Sequence, residues 1–126
     1  MFTIYKRVLA DTAPFTYLPL ADNETATLGT VYKLNAGKLV RAEATDKPKY
    51  LCLGAKRADG LAPMVRICPD MEFETSAAAL IPSTLIGTAV TLGTDSATVT
   101  ANTVNGVFTV SGTDATIDGS VRGYFE

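Results

Sequence analysis

The stretch VYKLNAGKLVRAEATDKPKYLCLG, residues 31–54, decides the fold class. Its first half places β-forming residues on both sides of Asn-Ala-Gly, which suits a three-residue hairpin loop with glycine in the left-handed position of a bulge. A charged turn that contains Pro48 follows, and a further β-strand, YLCLG, comes after it. The stretch therefore predicts a hairpin and a neighbouring strand, with no acid, base or nucleophile placed for chemistry.

The alternation of β-forming runs and turn residues continues toward the C-terminus. LCLG and PMVRIC read as two strands around the loop at residues 55–63, whose tip is Asp59-Gly60. Further strands are predicted at residues 88–92 and 120–125.

A separate hairpin is predicted for TVNGVFTV, residues 103–110, because Asn-Gly between β-formers suits a two-residue type I′ turn. A turn centred on Asn105 and Gly106 pairs Thr103 with Phe108. The same register places Ala101 opposite Val110, on the apolar face of an antiparallel ribbon.

Short strands that alternate with turn signals favour an all-β barrel or sandwich. The chain of 126 residues contains eighteen threonines, and β-branched residues favour pleated surfaces over helices. Only SAAALI, residues 76–81, is suited to a helical turn, which Pro82 would end. We expect one antiparallel all-β domain over residues 1–126, in which residues 1–20 are either core or an extended N-terminal arm.

The chain contains few side chains in arrangements suited to catalysis. It contains no histidine, the commonest general base and zinc ligand. Asp70, Glu72 and Glu74 are predicted to share the solvated face of one strand. Lys47-Pro48-Lys49-Tyr50 is interpreted as a turn that protects a sheet edge, not as a nucleic-acid site. We therefore predict no enzyme activity, and no catalytic, metal or cofactor site.

Charge and cysteine content add further expectations. Residues 33–66 carry eight basic and three acidic side chains, whereas residues 67–126 carry one basic and seven acidic. That asymmetry permits a dipolar surface, unless the fold interleaves the charges. Cys52 and Cys68 match no metal or redox spacing and are predicted to be buried free thiols. The chain lacks a long apolar run and a secretory pattern, which predicts a soluble protein made in a cytosol.

Two groups of residues are candidate contacts with another protein. The first is the loop that carries Lys56, Arg57 and Asp59, because binding residues concentrate on loops held by a rigid scaffold. The second is the N-terminal stretch, which combines the aromatic Phe2 and Tyr5 with two basic residues. Those basic residues are Lys6 and Arg7.

The order of several runs resembles small bacteriophage capsid decoration, or head cement, proteins. These runs are IYKRV, YLPL, GKLVRAEATDKP, MVRICPDMEFET and the C-terminal VRGYF strand. The resemblance implies a virion structural protein that is made in the host bacterial cytoplasm and binds the capsid exterior. It also implies the major capsid protein as partner, a homo-oligomer with a trimer favoured, and no cofactor, direct nucleic-acid contact or membrane. No catalytic residue is carried over.

Two other functions remain open at this point. A phage tail or baseplate accessory protein belongs to the same structural class. A carbohydrate- or receptor-binding β module is the alternative from another class, with Tyr5, Tyr17 and Tyr124 as its available aromatic residues. The chain has no tryptophan, the usual platform for a sugar ring.

Overall fold

The described residues form ten strands and one short 3₁₀ helix. The computed structural model describes residues 1–7, 15–77, 79–117 and 119–125, without the side chains of Lys6, Arg7 and Phe15. The strands are β1 (Thr3–Arg7), β2 (Phe15–Pro19), β3 (Val31–Asn35), β4 (Lys38–Arg41), β5 (Tyr50–Cys52), β6 (Leu61–Arg66), β7 (Met71–Ser76), β8 (Ala89–Val90), β9 (Phe108–Thr113) and β10 (Ser120–Phe125); the 3₁₀ helix is Ser83–Leu85. The predicted all-β class is confirmed.

The strands form two five-stranded antiparallel sheets. Sheet A has the order β1-β7-β10-β9-β8, and sheet B has the order β2-β6-β5-β3-β4. A parallel bridge between Leu20 and Leu39 brings the two edges of sheet B together at one point, but neither sheet closes into a barrel. Of the two predicted architectures, the structure therefore fits the sandwich.

Side-chain alternation along sheet B builds two apolar clusters. Val31, Leu51 and Val65 join the main core, which they share with sheet A residues such as Phe73 and Phe108. Their strand neighbours point to the opposite face of the sheet. These neighbours form a second cluster of Tyr32, Leu39, Cys52, Ala62 and Met64. Sheet B is thus apolar on both faces, which explains why β5 and β6 read as nearly continuous hydrophobic runs.

The hairpin of β3 and β4 is confirmed, with a tighter turn than predicted. Asn35 pairs with Lys38, so only Ala36 and Gly37 lie between the strands. Both have positive φ angles, 52° for Ala36 and 80° for Gly37. Positive φ at both central residues defines the type I′ turn, in place of the bulged three-residue loop.

The predicted Asn-Gly hairpin is wrong. Phe108 pairs with Val90 of β8 and Phe125 of β10, and residues 99–103 form no strand with β9. Gly106 passes against the β8 backbone, where an added Cβ would lie 2.2 Å from the Ala89 carbonyl oxygen. This glycine therefore serves close backbone approach, not turn conformation.

The described residues of the range 76–81 also differ from the prediction. β7 continues to Ser76, and Ala77 then forms a parallel bridge with Val99. Among the described residues, helical backbone occurs after Pro82, as the 3₁₀ helix Ser83–Leu85. Proline is compatible with the start of a helix because its missing N–H is not needed there.

The charge asymmetry follows the division into sheets. The net-positive segment, residues 33–66, contains β3 to β6, all in sheet B. The net-negative segment, residues 67–126, contains β7 to β10, all in sheet A. β1, which carries Lys6 and Arg7, adds two basic residues to sheet A.

Candidate functional site

The loop between β5 and β6 is closed by its own backbone. The Arg57 N–H donates to the Leu61 carbonyl oxygen at 2.8 Å, and the Gly60 N–H donates to the Arg57 carbonyl oxygen at 3.0 Å. Gly60 supplies the left-handed backbone that this turn requires, with φ of 85°. Asp59 Oδ1 accepts the Leu61 N–H at 3.1 Å. The loop is therefore held in one conformation while Lys56, Arg57 and Asp59 stay exposed.

The Arg57 side chain is fixed by two neighbours. Its guanidinium carbon lies 3.6 Å from the centre of the Tyr17 ring, and its Nη2 lies 2.6 Å from Asp59 Oδ2. The hydrogen bond to Asp59 raises the pKa of Arg57. The pKa of Asp59 is lowered by the Leu61 N–H and by Arg57. Both groups are thus charged and oriented in the folded chain.

Tyr17 contacts this loop although no sequence pattern connects the two. It lies on β2, whose pairing with β6 places Tyr17 opposite Pro63, at the base of the loop. We call the four residues Tyr17, Lys56, Arg57 and Asp59 the loop site. An aromatic residue forty positions earlier gives no local sequence signal, so only strand pairing reveals the contact.

The N-terminal candidates separate into core and surface. Phe2 is 1% exposed, and its ring centre lies 5.6 Å from that of Phe108 and 5.4 Å from that of Phe125. Tyr5 is 46% exposed at a register shift of β1, with the Arg122 guanidinium 5.6 Å from its ring centre. Phe2 is therefore a packing residue in this fold and is not available for a surface contact.

The N-terminal stretch and the loop site belong to different sheets. β1 pairs with β7 in sheet A, whereas β2 pairs with β6 in sheet B. Residues 3–7 and 15–19 of the expected arm are therefore strands of the sandwich, and residues 8–14 lie outside the described residues. Lys6 and Arg7 take part in β1 through their backbone, and their side chains lie outside the described residues.

The acidic residues around β7 make local contacts on the solvent side of sheet A. Met71, Phe73 and Thr75 are buried and alternate with half-buried Glu72 and Glu74, as predicted, whereas Asp70 lies in the turn before β7. Glu72 accepts a hydrogen bond from the Ser111 hydroxyl at 2.7 Å, and Glu74 lies 3.5 Å from the Arg122 guanidinium. Among the described residues, no three side chains of metal-ligating type form a group that could hold an ion.

Both cysteines are free thiols. Cys52 is buried, and its Sγ lies 3.0 Å from the Gly54 carbonyl oxygen, to which it donates. Burial raises the pKa of this thiol, so it is protonated and inert near neutral pH. Cys68 is half-buried, which the prediction of two buried thiols overstated.

Comparison with known proteins gives no relative. No protein-family model, curated protein or solved structure matches the chain. No helix in the described part of the chain has the length and apolar character to cross a membrane.

Proposed function

We propose that this chain is a virion structural protein that binds the outer surface of a phage capsid and stabilises contacts between major capsid subunits. It acts as a homo-oligomer, with a trimer favoured, and not as an enzyme. The observation that carries the proposal is the loop site, in which Arg57 is oriented by Tyr17 and Asp59 and remains exposed. The sequence resemblance to capsid decoration proteins names the partner.

The geometry of the loop site suits a contact with another protein. Tyrosine and arginine are enriched among the residues that contribute most to binding at protein interfaces. An arginine that is already oriented loses less side-chain entropy on binding than a free one. The loop is also short and hydrogen-bonded to the β6 backbone at Leu61, so little loop ordering opposes association.

Weak individual contacts are sufficient for this role. Many copies bind one lattice, and an oligomer that contacts several subunits converts later contacts into intramolecular ones. Tyr5, Lys6 and Arg7 are retained as further proposed contacts because β1 is an edge strand of sheet A. An edge strand offers unpaired backbone groups to a partner chain.

A polypeptide partner is favoured over a sugar by the surroundings of Tyr17. A tyrosine that serves as a sugar platform needs an open ring face, and the Arg57 guanidinium lies 3.6 Å above one face of Tyr17. One ring face of Tyr17 is therefore closed to a sugar, which disfavours the carbohydrate-binding alternative at this residue.

The test compares phage heads with and without the chain. Heads are purified from a phage whose gene for this chain is deleted, and the temperature at which they release DNA is measured before and after adding the protein. The proposal expects a higher release temperature after addition. An unchanged release temperature, together with recovery of the chain on tails, would replace it with the tail or baseplate function.

A further inference from the structure

A groove at one end of sheet B carries a concentrated positive charge. It has a volume of about 580 Å³, and Lys47, Lys49 and Arg66 line it together with Lys33. Leu34, Tyr50 and Ile67 supply its apolar surface. A groove of this size is within the range of sites that hold a small ligand or a few residues of a peptide. We call it the basic groove.

Strand pairing brings these residues together. Tyr50 pairs with Arg66 across β5 and β6, so the two side chains share one face of the sheet. The Lys49 N–H donates to the Tyr32 carbonyl oxygen at 2.8 Å, and its own carbonyl accepts the Ile67 N–H at 2.9 Å. The backbone under the basic groove is therefore fixed on two sides.

The side chains at the floor and rim differ in burial. Tyr50 is half-buried and packs against the second apolar cluster, while Pro48 is buried between the exposed Lys47 and Lys49. The turn thus places exposed cationic side chains beside an aromatic floor. Exposed Leu34, at 42%, adds an apolar contact on the β3 side of the rim.

Most of this charge has no partner among the residues that the structure describes. Lys33 forms an ion pair with Asp46 at 2.7 Å. In the part of the chain that the structure describes, no hydrogen bond or ion pair holds the side chains of Lys47, Lys49 or Arg66. Three cations beside an apolar floor produce a local positive potential that a concave surface focuses.

We propose that the basic groove binds a short acidic segment of another polypeptide, one that places carboxylates against Lys47, Lys49 and Arg66 and an apolar side chain against Tyr50. Arg66 can donate two parallel N–H hydrogen bonds to one carboxylate, which fixes the orientation of the contact. The inference deepens the proposed function and rests on it for the identity of the partner. The acidic segment then belongs to a capsid subunit.

A polypeptide fits this groove better than a nucleic acid. A nucleic-acid site needs a basic path along the backbone of its ligand. In the described part of the chain, Lys47, Lys49 and Arg66 line a single groove, and no continuous basic groove extends from it. The groove is the size of a few residues of a peptide, and the net charge of the chain, −2, does not favour a long polyanion.

The test measures binding of a fluorescein-labelled peptide, Asp-Glu-Leu-Asp-Glu, to the full chain by fluorescence anisotropy. A second peptide with Asn and Gln in place of the acids and a ten-residue oligothymidine are run in parallel. We expect saturable binding of the acidic peptide that weakens with added salt, because charged contacts are screened. Absence of binding, or tighter binding of the neutral peptide or the oligonucleotide, would overturn the inference.

Variants locate the site. Lys49→Glu combined with Arg66→Glu should weaken acidic-peptide binding by about tenfold or more, as expected for removal of charge complementarity. The matched control is Lys38→Glu, an exposed residue of β4 outside the groove, which should change binding by less than about twofold. If Lys38→Glu weakens acidic-peptide binding as much as the Lys49→Glu and Arg66→Glu double variant does, the assignment to this groove is overturned.

Binding to heads separates this inference from the proposed function. The groove variant, Lys49→Glu with Arg66→Glu, is compared with the unaltered chain for binding to heads and for stabilising them. Equal binding and equal stabilisation would overturn the groove inference and leave the proposed function intact. Peptide binding by a chain that binds no heads would support the groove and overturn the proposed function.

Discussion

The Ser96 hydroxyl donates a 2.6 Å hydrogen bond to the carbonyl oxygen of Ala42, a residue 54 positions earlier in the chain. The Ser96 carbonyl oxygen also accepts the Val31 N–H at 2.9 Å. Ser96 lies in the segment between β8 and β9, whereas Val31 begins β3 and Ala42 follows β4. Ser96 belongs to the segment between β8 and β9 of sheet A. Its two hydrogen bonds thus hold this segment against β3 and the end of β4 in sheet B.

Replacing Ser96 with alanine should lower the free energy of unfolding by about 1–3 kcal/mol, because the buried Ala42 carbonyl oxygen loses its hydrogen bond. Chemical denaturation monitored by circular dichroism measures this change. Ser96 also has a positive φ of 56°, which costs a non-glycine residue some strain.

The matched variant Ser96→Gly removes the same hydroxyl and relieves that strain. It should therefore be less destabilising than Ser96→Ala, since glycine adopts positive φ freely. A glycine variant that is equally or more destabilised would show that backbone strain at this position is negligible.

Phe2 should contribute to stability through the aromatic core. Phe2→Ala is expected to lower the free energy of unfolding by about 3 kcal/mol, because it leaves a cavity beside Phe108 and Phe125. Phe2→Leu keeps most of the volume and should cost about 1 kcal/mol. If both variants unfold at the same denaturant concentration as the unaltered chain, the N-terminal segment does not pack as described.

Asp95 should make a pH-dependent contribution to stability. Burial alone would raise the pKa of its carboxyl, but hydrogen bonds from the Ala97 N–H and from the Thr98 hydroxyl and N–H lower it overall. A lowered folded-state pKa stabilises the fold above the unfolded value, near 3.9, and this stabilisation is lost as the pH falls through the folded value.

The variant Asp95→Asn keeps an acceptor oxygen and removes the charge. At pH 7 it should be less stable than the unaltered chain by about 0.5 kcal/mol, a small value because the residue is exposed. Denaturant unfolding at several pH values should show this difference disappearing below about pH 4. A difference that persists unchanged at low pH would mean that the charge is not responsible.

The loop site should separate binding from stability. Lys56→Glu reverses an exposed charge and should reduce the amount of chain bound to heads, while unfolding free energy changes by less than about 0.5 kcal/mol. Co-sedimentation with heads measures the first quantity and denaturation the second. Head occupancy equal to that of the unaltered chain would remove Lys56 from the contact.

Arg57→Lys keeps the charge and loses the flat guanidinium over Tyr17. We expect faster proteolytic nicking within residues 54–60, because the loop is then held less firmly. Lys56→Gln, on the same loop, is the control and should be nicked at the rate of the unaltered chain. Equal nicking of Arg57→Lys and the control would show that the stack does not order the loop.

Local sequence signals predicted the fold where local chemistry determines structure. Asn35-Ala36-Gly37 identified the β3–β4 hairpin, and Asp59-Gly60 identified the β5–β6 loop, since each turn depends on residues within it. The Asn105-Gly106 signal failed because Gly106 is needed for contact with β8, a tertiary constraint that has no local pattern.

The candidate site was predictable only in part for the same reason. Lys56, Arg57 and Asp59 are neighbours in sequence, and their loop was recognised. Tyr17 and the pairing of Tyr50 with Arg66 depend on strand order, which alternation does not specify. Phe2 was predicted only as a candidate contact, with a plain first strand as an equal alternative, because an N-terminal aromatic residue reads alike in a core strand and in an exposed one.

Whether the folded surface binds capsid subunits can be measured by titrating the chain onto heads purified from a phage that lacks it and counting the bound copies per head. We expect saturation at a fixed ratio to the major capsid protein, with Lys56→Glu shifting the titration to higher concentration. Binding that never saturates, or no binding to heads, would contradict it.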